Sequence, residues 1–233
     1  KYDKDAKNKN ITIVPDCGMG PGMNVSMALL GMEQLDSVDD VFIWDGGLPK
    51  NPIKPWNYSL FFNIKGLTNE YDECAFFLEE GKINKVPCFE GIETLNFDND
   101  IGDLEAAVTS GGLSTMPWTY EGKIKKLVNK TLRYKGHWEW MKAFRQLGLF
   151  SETKIRFNNH EISPREFYHS LLEPQLDTKD FNDICVMRIV VTGLLKNKKK
   201  QVTINCFEEY DSKTGLMAME KWTGWHASIV MQH

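Results

Sequence analysis

Ile184-Cys-Val-Met-Arg-Ile-Val-Val-Thr192 and Val202-Thr-Ile-Asn-Cys-Phe207 stand on either side of a lysine-rich turn, Lys196-Asn-Lys-Lys-Lys200. Both segments are dense in apolar and β-branched residues, which suit strands. In the second, Val202, Ile204 and Cys206 alternate with polar partners, so one face is buried and the other wet. The lysines read as a solvated hairpin tip. Downstream, Asp211-Ser-Lys-Thr-Gly215 is another turn and predicts a third strand over 216–221. Upstream, Ala75-Phe-Phe-Leu78 and the segment around Val86 flank Glu80-Gly81 as a further hairpin. Hairpins in series imply an antiparallel or mixed sheet.

The first 45 residues read differently. Ile11-Thr-Ile-Val14 is a short apolar run ending at Pro15, as in a buried strand. A glycine-rich turn follows, then a Met-, Ala- and Leu-rich helix over 23–35, then an apolar strand over 41–44. That is a βαβ unit, which calls for a parallel pair. Further on, a short helix is predicted over 103–109 and another over 137–147, stopped by Gly148. Ser163-Pro-Arg-Glu166 is a helix start with a capping box, predicting a helix that ends before Pro174. The character of the chain therefore changes near residue 46, from parallel α/β to α+β.

Composition sets outer bounds. Of 233 residues, 42% are hydrophobic and 26% charged, ordinary for a globular protein. A net charge of −4 suggests no basic face, so no nucleic acid partner is expected. No run approaches a membrane span in length, so no membrane partner is expected either. The five cysteines are odd in number and include no CxxC, which fits free thiols in a reducing, cytoplasmic setting. The histidines show no metal-ligand spacing, so no metal is expected.

The chemistry concentrates between Gly111 and His137. Gly-Gly-Leu-Ser-Thr-Met-Pro-Trp-Thr-Tyr-Glu-Gly-Lys123 is followed by Lys130-Thr-Leu-Arg-Tyr-Lys-Gly-His137. A carboxylate takes a planar two-donor partner, and Arg133 offers one. His137 can accept a proton, or it can bond the start of its own helix. Ser114 and Thr115 follow two glycines and can approach a ligand closely, or they can cap a turn. Lys130 adds positive charge, and Trp118 can wall a pocket or pack. Asp45 can bind an ammonium or end its strand.

These motifs resemble the saccharopine dehydrogenase family. The resemblance rests on GGLSTMPWTYEGK with KTLRYKGH, on Asp16-Cys-Gly-Met-Gly-Pro-Gly-Met-Asn24, on Asp45-Gly-Gly-Leu-Pro49, and on Asp211–Gly215 leading to Thr223-Gly224. It implies a partial Rossmann βαβ edge joined to an α+β substrate domain with a mixed or antiparallel sheet. Residues 1–45 would be the end of a truncated Rossmann domain, 46–222 the substrate and dimerisation domain, and 223–233 a helix returning to the Rossmann domain. The resemblance places Asp45, Gly46, Gly47 and Tyr58 at the floor of a substrate site with Arg133, Ser114, Thr115, Lys130 and Trp118, and His137 as the catalytic group. It puts Cys17, Gly18, Gly20, Pro21 and Gly22 beside a nicotinamide cofactor, NAD or NADP.

The residues alone leave that turn open, either as a tight connection or as a helix N-terminus facing a ligand. The GxGxxG fingerprint needs glycine at 23, where methionine stands, so this chain is expected to lack its own phosphate cradle. Lys135 replaces a usual proline, Asp45 a usual small or apolar residue, and Trp222 and His226 smaller ones. The expected activity is oxidation of a C–N bond of lysine or saccharopine by the longer parent, acting on a small amino-acid substrate as a homodimer. The alternative is a non-catalytic amino-acid-binding or dimerisation module.

Overall fold

A computed structural model describes residues 2–98, 101–177 and 182–233. In chain order the elements are α1 (Asp3–Asn8), α2 (Met23–Met32), β1 (Ser37–Pro49), α3 (Ile64–Tyr71), β2 (Cys74–Glu79), β3 (Lys82–Pro87), β4 (Glu93–Phe97) and β5 (Gly102–Ala107). Then follow α4 (Met116–Tyr120), β6 (Lys126–Tyr134), α5 (His137–Gln146), β7 (Ile155–Phe157), β8 (His160–Ile162), α6 (Pro164–Leu176), β9 (Asp183–Leu195), β10 (Lys198–Glu209) and α7 (Ala218–Met231). Eight strands form one mixed sheet in the order β10-β9-β1-β6-β2-β3, with β5 also on β6 and β4 on β5. The β1–β6 pair is parallel, and the other strand pairs of this sheet are antiparallel.

The expected mixed α/β fold is therefore present, and the 184–207 hairpin forms one of its two longest ladders. Val202, Ile204 and Cys206 point to the face covered by α2 and α7, where they meet Met187, Ile189 and Val191. The hairpin turning at Glu80-Gly81 also forms. Ser163 caps α6 as its spacing predicts, accepting from the Glu166 N–H.

Four expectations need correction. Residues 11–14 form no strand, and Ile11, Ile13 and Val14 are more than half exposed. Both edges of β1 are taken, by β6 and β9, so no place beside it remains for an earlier parallel strand. The parallel neighbour of β1 is instead β6, far along the chain. Second, 103–109 is not a helix. Leu104 and Ala106 alternate inward on β5, and pairing with β6 overrides the helix preference of Leu, Glu and Ala.

Third, 216–221 is not a strand, because α7 begins at Ala218. Its first N–H groups are capped by the distant Asp183, which accepts from Ala218 at 2.7 Å and Met219 at 2.8 Å. Fourth, α6 runs through Pro174, held by Leu172 and Leu176 buried one turn apart. The expected boundaries at 45/46 and 222/223 fall inside β1 and α7 rather than in linkers.

Candidate substrate cavity

The site grows from the parallel pair. On one face of β1 and β6, Val41 opposes Leu127, both apolar. Side chains alternate along a strand, so the same face continues as Asn129, Thr131 and Arg133 on β6 and as Asp45 on β1. Asp45 stands in register with Thr131. The apolar face thus turns polar at one end of the sheet. There it lines a cavity of about 540 Å³, closed by the 16–21 turn, Phe61, Phe62, Glu70, Ser110, Gly112 and the first turns of α7. That size suits a small molecule.

Asp45 is the most tightly held group. Its two oxygens accept from Asn24 Nδ2 at 3.0 Å and Asn129 Nδ2 at 2.9 Å. Burial pushes its carboxyl up to about 6, against the pull of those amides and of Arg133. The approach of the turn is close: a Cβ on Gly20 would overlap Asp45 Oδ2, and one on Gly112 would overlap Asn129 Oδ1. Glycine at 20 and 112 is thus a packing requirement.

Arg133 is 3% exposed. Its Nε donates to Tyr71 Oη at 2.9 Å and its Nη1 to the Leu132 carbonyl at 2.9 Å. Its Nη2 lies 3.7 Å from Glu70 Oε2, an ion pair too long for a hydrogen bond. The guanidinium lies over the Tyr58 ring, 4.8 Å from its centroid. Beside it, the Thr109 and Thr131 hydroxyls pair at 2.6 Å on the cavity wall. Glu70, on the last turn of α3, was not singled out in the sequence. Burial raises its carboxyl to about 7, opposed by Arg133 and aided by Asp45, although a third of its side chain stays open to the cavity.

The structure gathers Cys17, Gly18, Gly20, Pro21, Asp45, Gly46, Gly47 and Arg133 around this one cavity. The other expected residues lie elsewhere. Ser114 and Thr115 face a second groove with Gly22, Ser26 and His226, where Ser114 Oγ bonds Asp16. Gly112 packs on Asn129, and Ser114 beyond it has a positive φ. Lys130 lies between two inward residues and so points to the opposite face. There it bonds the Gly91 carbonyl and Glu93. Trp118 is half exposed on α4 against Phe76. Tyr58 sits behind Arg133, and its buried hydroxyl has no hydrogen-bond partner among the described residues.

His137 also lies behind the cavity and not on its wall. It is fully buried, with Nε2 2.9 Å from Tyr71 Oη and Nδ1 3.1 Å from the Trp56 carbonyl. The Trp56 carbonyl can only accept, so the imidazole proton sits on Nδ1, and Nε2 of the neutral ring accepts from the Tyr71 hydroxyl. Burial, then Arg133, lowers the ring to about 3, so it stays neutral. With both nitrogens occupied, His137 orients Tyr71 and through it Arg133.

The N–H groups at the start of α2 are also spoken for. Gly22 and Val25 donate to Asn24 Oδ1, Met23 to the Gly18 carbonyl, and Asn24 to the Met19 carbonyl. The turn therefore offers a glycine surface, and the N–H groups of residues 22–25 at the start of α2 are not free for phosphates. Among the described residues no group of three or more His, Cys, Asp or Glu is arranged to hold a metal. No helix among them is long and apolar enough to cross a membrane.

The family model of the saccharopine dehydrogenase C-terminal domain matches residues 18–233. The chain is 21% identical over 96% of its length to saccharopine dehydrogenase [NADP(+), L-glutamate-forming] of Pyricularia oryzae, and covers 48% of that protein. It therefore spans about half the length of this curated relative. Its fold is similar to that of apo histidine-tagged saccharopine dehydrogenase (L-Glu forming) from Saccharomyces cerevisiae, with a TM-score of 0.71 at 14% identity. That match covers 92% of this chain and 63% of the other.

Proposed function

This chain belongs to the saccharopine dehydrogenase family, and from that premise we propose that it is the substrate-holding part of a longer NAD(P)-dependent oxidoreductase acting on a C–N bond of saccharopine or lysine. The observation that carries the reading is Arg133, a buried guanidinium at a cavity that also holds Asp45. A planar fork, pre-oriented by Tyr71 and His137, is suited to a substrate carboxylate. Asp45 supplies the negative charge for a substrate nitrogen. Cys17, Gly18, Gly20 and Pro21 border the same cavity, and their flat surface fits the ring end of a nicotinamide. Bound there, the nicotinamide would supply the hydride acceptor. This chain's own residues bind, orient and hold charge.

Residues 1–45 and 223–233 would adjoin the nucleotide-binding part. Exposed Ile13, Val14, Trp225 and Ile229 on these segments support that. The reading includes a cytoplasmic protein, in line with five free cysteines. It also includes a homodimer, packed on the sheet face opposite the cavity, where Phe42, Trp44 and Val190 are incompletely covered. The decisive assay follows nicotinamide reduction by the full-length protein with saccharopine or lysine and NADP+ or NAD+. Turnover with either substrate supports the reading. Absence of turnover with all four combinations, in a folded protein, rejects it.

A second reading rests on the bonded N–H groups of residues 22–25 at the start of α2. They favour an amino-acid-binding module with no dinucleotide site of its own. Binding of lysine or saccharopine without any nicotinamide turnover by the full-length protein would support it.

A further inference from the structure

Asp16 and Glu220 at the cavity rim are bonded to Ser114 Oγ and the Met217 N–H, respectively. The three carboxyl or imidazole groups that feel Arg133, namely His137, Asp45 and Glu70, differ in freedom. His137 is enclosed, with both ring nitrogens bonded. Asp45 spends its oxygens on two amides. The Glu70 carboxylate accepts no hydrogen bond among the described residues, faces the cavity, and lies 3.7 Å from the Arg133 Nη2. Its backbone is fixed, because the Glu70 carbonyl accepts from the Ser110 N–H at 2.9 Å. Glu70 is thus a carboxylate open to the cavity on a hydrogen-bonded backbone, next to the cation that would hold a substrate carboxylate.

We propose that Glu70 is the group that takes the proton from the substrate nitrogen. This rests on the amino-acid oxidoreductase reading above. An α-amino acid or its N-alkyl derivative carries its ammonium beside its carboxylate. A carboxylate on Arg133 would bring that nitrogen toward Glu70. An ammonium cannot become C=N until it loses a proton, because its lone pair is tied up in the N–H bond. In the step proposed, the N–H bond breaks and the proton passes to a Glu70 oxygen, leaving the pair on nitrogen. The C–H pair then leaves as hydride to the nicotinamide oxidant, and the nitrogen pair forms the second C–N bond. The charged and titratable groups facing Glu70 are Arg133 and Asp45 across the cavity and the Tyr58 and Tyr71 hydroxyls behind it. Burial raises the Glu70 carboxyl to about 7, with Arg133 opposing and Asp45 adding, so both forms are populated near neutrality, as proton transfer requires.

The test uses the full-length protein, Glu70→Gln and Glu70→Asp, with saccharopine. Calorimetry at pH 7 in phosphate and in Tris reads the protons exchanged on binding. The wild type should release a buffer-independent fraction of a proton, as the protonated share of Glu70 empties against the ammonium. Glu70→Gln should bind with close to no release. Its turnover should fall roughly 10²-fold or more, with the acid limb of the kcat profile lost. Glu70→Asp should recover part of the turnover and the limb. Glu70→Gln keeping turnover within about threefold, with its acid limb intact, would overturn the proposal and leave Glu70 an ion-pair partner of Arg133. A folded wild type that does not bind saccharopine would instead remove the underlying reading, and this one with it.

Discussion

Asn129 on β6 donates to Asp45 on β1 at 2.9 Å, across the parallel strand pair of the sheet. That bond holds a buried carboxylate at the floor of the cavity. Asp45 is raised to about 6 because burial outweighs its amide partners. A raised acid contributes most below its unfolded value near 3.8, and that contribution is lost as pH rises through about 6. Asn129→Ala removes a donor that favours the charged form, so the carboxyl should rise further. The substitution should destabilise the protein by about 1–3 kcal/mol at pH 8, and by less at pH 5, where Asp45 is protonated. Urea unfolding at the two pH values checks this, and equal losses would contradict it.

His137 should act in the opposite direction. Its folded value is near 3, against 6.5 for the free side chain. The unfolded chain binds the extra proton first, so stability present above about 6.5 is lost as pH falls through 3. His137→Gln removes this linkage. The stability gap between wild type and variant should therefore shrink by about 2 kcal/mol between pH 7.5 and pH 5. A gap that stays constant would mean that the ring is charged or accessible in the folded protein.

Arg133→Lys keeps a charge but loses the fork that Tyr71 and the Leu132 carbonyl orient. In the full-length protein the expected loss is in substrate affinity, about 1–3 kcal/mol for a charged hydrogen bond. Titration with saccharopine reads it directly. Unchanged affinity would move the carboxylate site elsewhere.

Asp183→Ala should loosen α7. Its carboxylate accepts from both Ala218 and Met219 at the helix start. Loss of such a cap costs about 1–2 kcal/mol, and Asp183→Asn should lose less because its side-chain oxygen still accepts. Denaturation midpoints ordered wild type, Asn, Ala would bear this out.

Residues 1–233 alone should show no micromolar binding of NAD or NADP by calorimetry. The backbone donors of residues 22–25, at the start of α2, are already engaged within the chain. Micromolar binding would show that the turn rearranges to receive phosphates.

Period-two alternation in 202–207, the glycine turn at 80–81 and the Ser163 helix cap were all legible as local patterns. Each depends on neighbours within a few residues, so composition and spacing suffice. Ordered motifs likewise pointed to Asp45, the 16–22 turn and Arg133, because a close glycine approach and a planar cation leave marks in residue type. Partner choice left no such mark. An apolar run such as 11–14 becomes a strand only if an edge is free, and both edges of β1 are taken. The cap of α7 lies 35 residues away in sequence. The difference between Lys130 and Arg133 is which face of β6 each occupies, set by register with β1. His137 lost its place at the cavity because Tyr71, from another helix, stands between it and Arg133. Glu70 reached the cavity for the same kind of reason, carried there by α3. Local propensity specifies elements, whereas burial and pairing between distant elements decide which side chains meet.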